Sequence, residues 1–233
     1  MRKLIDKIKS RGYWKVVIRP AIYKDNLVTS LDKCKEIVKQ SKVSLRGWDY
    51  PHIDSSSIKI AGNNSVHSFC DWSEWPMFEY WKFYQTGQFV HYFSMREDLR
   101  MTEDKKNEVR TNNINKFLSI ISTIYSVTEV FEFASRIVSK IDNSDSFEII
   151  IELHDAKDRM LFFWDAFRSL RRSYICEYDP IIIKKILTKE EIISKPSEIA
   201  LDVAIEIFKR FNWTDVNRRI FVEDQKKFFE RRL

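Results

Sequence analysis

Two stretches of this chain put acid, base and metal-ligating side chains close enough in sequence to do chemistry. In the first, Arg46, Trp48, Asp49, His52 and Asp54 set a cation, two carboxylates, an imidazole and an indole within nine residues, with Gly47 and Pro51 shaping the backbone. Such a group can line a polar pocket. His52-x-Asp54, like His67-x-x-Cys70 further on, also offers two ligands at reachable spacing. Neither has the tight repeated pattern of a zinc site, and an Arg–Asp pair anchoring a turn beside a packed tryptophan accounts for the same residues, so no metal is expected. In the second stretch, Asp145 is followed by Asp155-Ala156-Lys157. This is the loose pattern of nucleases in which two carboxylates hold Mg²⁺ and a lysine stabilises charge at the attacked phosphate. Aspartates at a turn need no catalytic reason. The nuclease, with Asp145, Asp155 and Lys157 catalytic and Mg²⁺ as cofactor, is therefore the alternative, and binding without catalysis or cofactor is the main expectation.

Other chemistries lack their motifs. There is no GxxxxGK[ST], GxGxxG or GxSxG, and four glycines in 233 residues leave little to build a phosphate-cradling loop. Cys34, Cys70 and Cys176 are odd in number and scattered, which suits a reduced, cytoplasmic protein rather than a disulfide framework. The opening residues carry charge where a secretory signal needs an apolar stretch, and no apolar run is long enough for a membrane span.

Charge is unevenly placed. Residues 1–46 hold thirteen Lys and Arg against four acids, although the whole chain is only +6. A polarised distribution of this kind attracts phosphates or an acidic partner. The expected partner is nucleic acid or a nucleoprotein complex, met by a basic N-terminal surface. Lys33, Lys35, Lys39, Lys42 and Arg46 would supply the contacts, beside a pocket of Arg46, Trp48, Asp49 and His52. Arg168, Arg171 and Arg172 after Asp165 read as one face of a further helix.

The elements that must position these residues follow from periodicity. Tyr13–Arg19 alternates and stops at Pro20, a strand; Leu31, Cys34, Ile37 and Val38 follow helical spacing behind Ser30. Strands are expected at 43–48, 58–60 and 181–183, and hairpins at 80–84 with 89–93 and at 147–153 with 159–164. A helix of about 25 residues is expected from Phe117 to beyond Val138. Thr188 with Glu191 forms a capping box, and Ser197 and Thr214 are expected to open the last two helices. The polar run 101–113 reads as a loop and a possible subdivision. The expected class is α+β, as one domain over 1–233, with antiparallel hairpins packed on a long central helix and C-terminal helices.

Residues 69–93 contain eleven of the 33 aromatic side chains. A packed core explains them, while partial exposure would offer an interface, giving a second alternative: a protein-interaction subunit of a larger complex. The segment Arg46-Gly47-Trp48-Asp49-Tyr50-Pro51-His52, together with Phe83-Tyr84-Gln85-Thr86-Gly87-Gln88-Phe89, resembles a paired signature of uncharacterised bacterial proteins. Some of these are joined to DNA-binding regulatory domains. The resemblance implies a regulatory, nucleic-acid-related role and brings no catalytic residue with it.

Overall fold

The computed structural model describes residues 2–53, 58–72, 77–100, 114–165 and 167–231. Asp54, Ser55–Ser57 and the expected loop at 101–113 lie outside them. The chain is α+β, with a mostly antiparallel sheet and a long central helix. Its elements run α1 (Arg2–Lys9), β1 (Tyr13–Pro20), α2 (Leu31–Ser41), β2 (Lys59–Ile60), β3 (Ser65–Trp72), β4 (Met77–Tyr84), β5 (Phe89–Ser94) and α3 (Arg96–Arg100). They continue with β6 (Lys116–Ser119), α4 (Ile120–Ser139), β7 (Ser146–His154), β8 (Arg159–Phe162), β9 (Ile181–Thr188), α5 (Lys189–Ser194), α6 (Pro196–Lys209) and α7 (Arg218–Phe229).

Seven strands form one sheet in the order β2-β3-β4-β5-β1-β7-β9, and every neighbouring pair is antiparallel. Because β1 bonds to both β5 and β7, the segments on either side of residues 100–115 share this sheet. Alternation sends Val16, Ile18, Trp81, Phe83, Phe147, Ile149 and Ile151 to one face. There they form the main core with α4 (Val127, Phe131, Ala134) and α6 (Val203, Ala204, Ile207). α1 covers part of the other face, setting Leu4 and Ile8 against Tyr13, Phe78 and Tyr80. Among the described residues no helix is long and apolar enough to cross a membrane.

Local signals account for several elements. Ser30 caps α2 by accepting from the Lys33 amide at 3.1 Å, and Cys34, Ile37 and Val38 face inward. Gly87, at φ +79°, turns the chain between β4 and β5. α4 contains many β-branched residues yet holds because it is buried along nearly its whole length, so packing outweighs propensity. The capping box at Thr188 and Glu191 forms.

Five expectations are corrected. Residues 43–48 are not a strand: Val43 and Tyr50 form an isolated bridge, and Gly47, at φ +76°, breaks the extended path between them. Phe147–Leu153 and Arg159–Trp164 are not a hairpin. Both edges of β7 are taken by β1 and β9, while β8 pairs in parallel with β6. The long helix starts at Ile120, behind a Ser119 cap, and Phe117 belongs to β6. α6 begins at Pro196 and α7 at Arg218 behind an Asn217 cap, one before Ser197 and four after Thr214. Asp165 opens a turn instead of a helix, and Arg168 grips Asp224 with both terminal nitrogens at 2.8 and 2.9 Å.

Arg159 explains why β8 leaves β7. Its side chain is fully buried, and its five N–H donors meet five acceptors: the Asp155 carbonyl, both Asp98 carboxylate oxygens, the Phe117 carbonyl and Asp155 Oδ2, at 2.6–2.9 Å. Burial would raise the Asp98 carboxyl, but the hydrogen bonds and charge of Arg159 outweigh it and hold it below the ordinary carboxylate range. The Gly12 amide donates to the same carboxylate at 2.7 Å, and a Cβ on Gly12 would lie 2.0 Å from Arg159 Nη2. Arg159→Met should therefore cost about 3–5 kcal/mol by stranding Asp98, and Gly12→Ala about 1–3 kcal/mol by overpacking a guanidinium that cannot yield. Urea unfolding checks both, and a change within about 0.5 kcal/mol for either would contradict this account.

Candidate functional site

The expected phosphate-binding residues do not form one patch. Lys33 pairs with Glu36 at 3.0 Å, Lys35 with Asp32 at 2.9 Å and Lys42 with Asp49 at 2.7 Å, while Lys39 is exposed. At about 100° per residue, Lys35 and Lys39 lie on one flank of α2 and Lys33 on the other. Arg46 points inward. Its Nε and Nη2 reach the two Glu129 oxygens at 3.1 and 2.6 Å, and Nη2 also reaches Ser126 Oγ at 3.1 Å. With the two side chains 9% and 2% exposed, this pair is structural, and Arg46 is withdrawn from any phosphate contact.

The basic surface lies instead on the sheet face that carries α1. One row of directly paired residues crosses it as Phe69, Tyr80, Tyr92, Lys15, Glu152 and Ile182. The next runs Lys59, His67, Lys82, Val90, Val17, Ile150 and Lys184. Four rings on this face carry a lysine: Lys7 Nζ is 3.9 Å from the buried Phe78 ring, Lys59 Nζ 5.8 Å from the partly exposed Phe69, Lys82 Nζ 4.6 Å from Tyr84 and Lys9 Nζ 5.5 Å from Tyr92. Phe69 is 43% exposed, whereas Phe78, Trp81, Phe83 and Phe89 of the same aromatic region are buried. Ion pairs join Lys15 to Glu152, Lys7 to Asp71, and both Arg19 and Lys184 to Glu148. Counting α1, Arg11 and the outward sheet positions, ten cations meet four carboxylates, an excess equal to the net +6 of the chain. Burial first, then Lys82 and Lys59, depress the His67 pKa, which keeps that imidazole neutral.

The nuclease residues are not brought together. Asp145 precedes β7 and Asp155 follows it, so the nine-residue strand holds them about 30 Å apart. Asp155, at φ +59°, serves a turn and accepts from Lys116 at 2.5 Å and Arg159 at 2.9 Å. His67 and Cys70 sit three apart on a strand and so face opposite sides of the sheet. Burial pushes the Cys70 thiol up to about 12. Among the described residues no three His, Cys, Asp or Glu side chains are grouped to hold a metal ion.

The expected pocket residues do meet. Arg46, Trp48 and Asp49 line one cavity, and His52 stacks on Trp48 at 4.0 Å while its amide donates to Glu79 Oε1 at 2.7 Å. Spacing alone missed Glu79, Glu97, Glu129, Arg96 and Thr123, which also line it. A detectable signal existed: Glu79 sits among the aromatics of β4, and Glu129 lies in the apolar run of α4, where a solvated carboxylate has no place. The cavity volume is about 40 Å³, room for a few waters or one small group. Tyr50 Oη, Ser94 Oγ, Thr123 Oγ1 and Trp48 Nε1 are buried around it without a hydrogen-bond partner. No protein-family model, curated protein or solved structure matches the chain.

Burial raises the carboxyls of both Glu97 and Glu129, with Arg46 and Arg96 pulling Glu129 the other way. A raised acid favours folding while protonated, so this stability is full below the unfolded value, about pH 4.3, and is lost as pH rises through the folded one. Glu97→Gln keeps an acceptor for the Ser119 amide, 3.0 Å from Oε1, but cannot ionise. Its unfolding free energy should fall less steeply than that of the wild type above about pH 4.3; parallel curves would refute the assignment.

Proposed function

We propose that the protein binds single-stranded nucleic acid, without catalysis, across the α1-bearing face of its sheet. The observation that carries this reading is the coincidence on one face, among the described residues, of ten cations against four carboxylates with partly exposed rings already paired to lysines. Phosphates supply a sequence-independent attraction to Lys9, Lys59 and Lys82, and Phe69, Tyr84 and Tyr92 offer faces on which bases stack. A duplex hides its base faces, so stacking selects single strands. The α2 lysines lie on the opposite side of the sheet, among the helices, and take no part.

Fluorescence anisotropy of a labelled single-stranded oligonucleotide, titrated at several salt concentrations, tests the proposal. Three or four phosphate contacts give a log–log slope of about −2 to −3. Phe69→Ala should weaken binding by about 1–3 kcal/mol, and Lys59→Glu with Lys82→Glu should reduce both affinity and slope. Lys35→Glu with Lys39→Glu should change little. Affinity that ignores salt, or no binding at micromolar protein, ends the proposal.

A further inference from the structure

The cavity behind the Arg46–Glu129 pair holds more polar atoms than its own fold consumes. Tyr50, Ser94 and Thr123 are each more than nine-tenths buried, line it, and have hydroxyls without a partner. A buried hydroxyl left unpaired costs free energy, so a native site of this kind is satisfied by water or by a ligand. Three features select among guests. First, the site is small, which admits a head group and not a ring system. Second, among the described lining residues carboxylates exceed cations: Arg46 is spent on Glu129 and Lys42 on Asp49, which leaves Glu79, its Oε2 3.5 Å from His91 Nε2, and Glu97 in the same wall as Arg96. Third, the walls are aromatic, with Trp14 stacked on Phe93 and the Tyr50 ring edge-on to it.

We propose that this cavity is a binding site for the primary ammonium head group of an organic amine. An ammonium brings three N–H donors and no acceptor, which suits a chamber lined by unpartnered hydroxyl oxygens and carboxylates. Its charge is offset by Glu79 and Glu97. The Trp48 indole N–H, a donor, stays with water or with an acceptor on the body of the ligand. This site lies on different residues from the nucleic-acid face and stands or falls independently of it.

Isothermal titration of the full chain with methylammonium chloride, against potassium chloride at equal ionic strength, tests the proposal. The expected result is saturable one-to-one binding of methylammonium and none of potassium. Thr123→Val, which keeps shape and removes the hydroxyl, and Glu79→Gln should each weaken binding at least tenfold, while Lys59→Glu on the sheet face should not. Nα-acetyl-lysine amide and spermidine separate the sources: whichever exceeds methylammonium identifies a peptide lysine or a free polyamine as the natural donor of the head group. Equal responses to methylammonium and potassium, or unchanged binding by Thr123→Val, would overturn the proposal and leave a cavity filled by water alone. Should Glu79→Gln fail to fold, the Thr123→Val and Ser94→Ala measurements decide.

Discussion

A guanidinium removed entirely from water governs how this molecule is assembled. A charge in a low-dielectric interior is tolerated only if every donor is met and a counter-charge is close. Arg159 satisfies both conditions with acceptors drawn from α3, β6 and the turn after β7. Those elements are therefore tied to one point. Asp98 links it to the start of β1 through the Gly12 amide, so the small parallel sheet and the large antiparallel one share an anchor.

The same anchor reaches the cavity. Glu97 follows directly on the chain from α3's first residue and precedes Asp98, so fixing Asp98 on Arg159 places Glu97 against the Ser119 amide at the head of α4 and into the cavity wall. From the other side, Arg46 is pulled out of its loop by Glu129 of α4. Two buried arginines thus bracket one polar chamber, each held by a carboxylate that burial makes costly to ionise alone. The interior is specified by charge pairing as much as by apolar packing.

The two faces of the sheet then take different tasks. The helix-covered face builds the core from Val, Ile, Phe and Trp side chains, whereas the α1 face retains a lattice of lysines, carboxylates and partly exposed rings. Exposed ion pairs such as Lys7–Asp71 are weak in water and can exchange partners with a phosphate. The Arg46–Glu129 pair cannot, because opening it would strand a buried charge. That contrast is why Arg46 belongs to the architecture and Lys59 and Lys82 to the surface.

Strands such as β1 and β5, the α2 cap at Ser30 and the box at Thr188 were legible from spacing, because periodicity and capping depend on residues a few positions apart. The convergence of Arg46, Trp48 and Asp49 was foreshadowed by their local density of polar groups. The carboxylate that captures Arg46 is 83 positions away, and the one that captures Arg159 is 61 positions away. No local pattern encodes such partners. Whether a cation is buried and spent or exposed and available depends on what the folded chain brings against it. For that reason the α+β class could be read along the chain, while the location of the basic surface, the separation of Asp145 from Asp155 and the choice of β6 over β7 as the partner of β8 belonged to the packed structure alone.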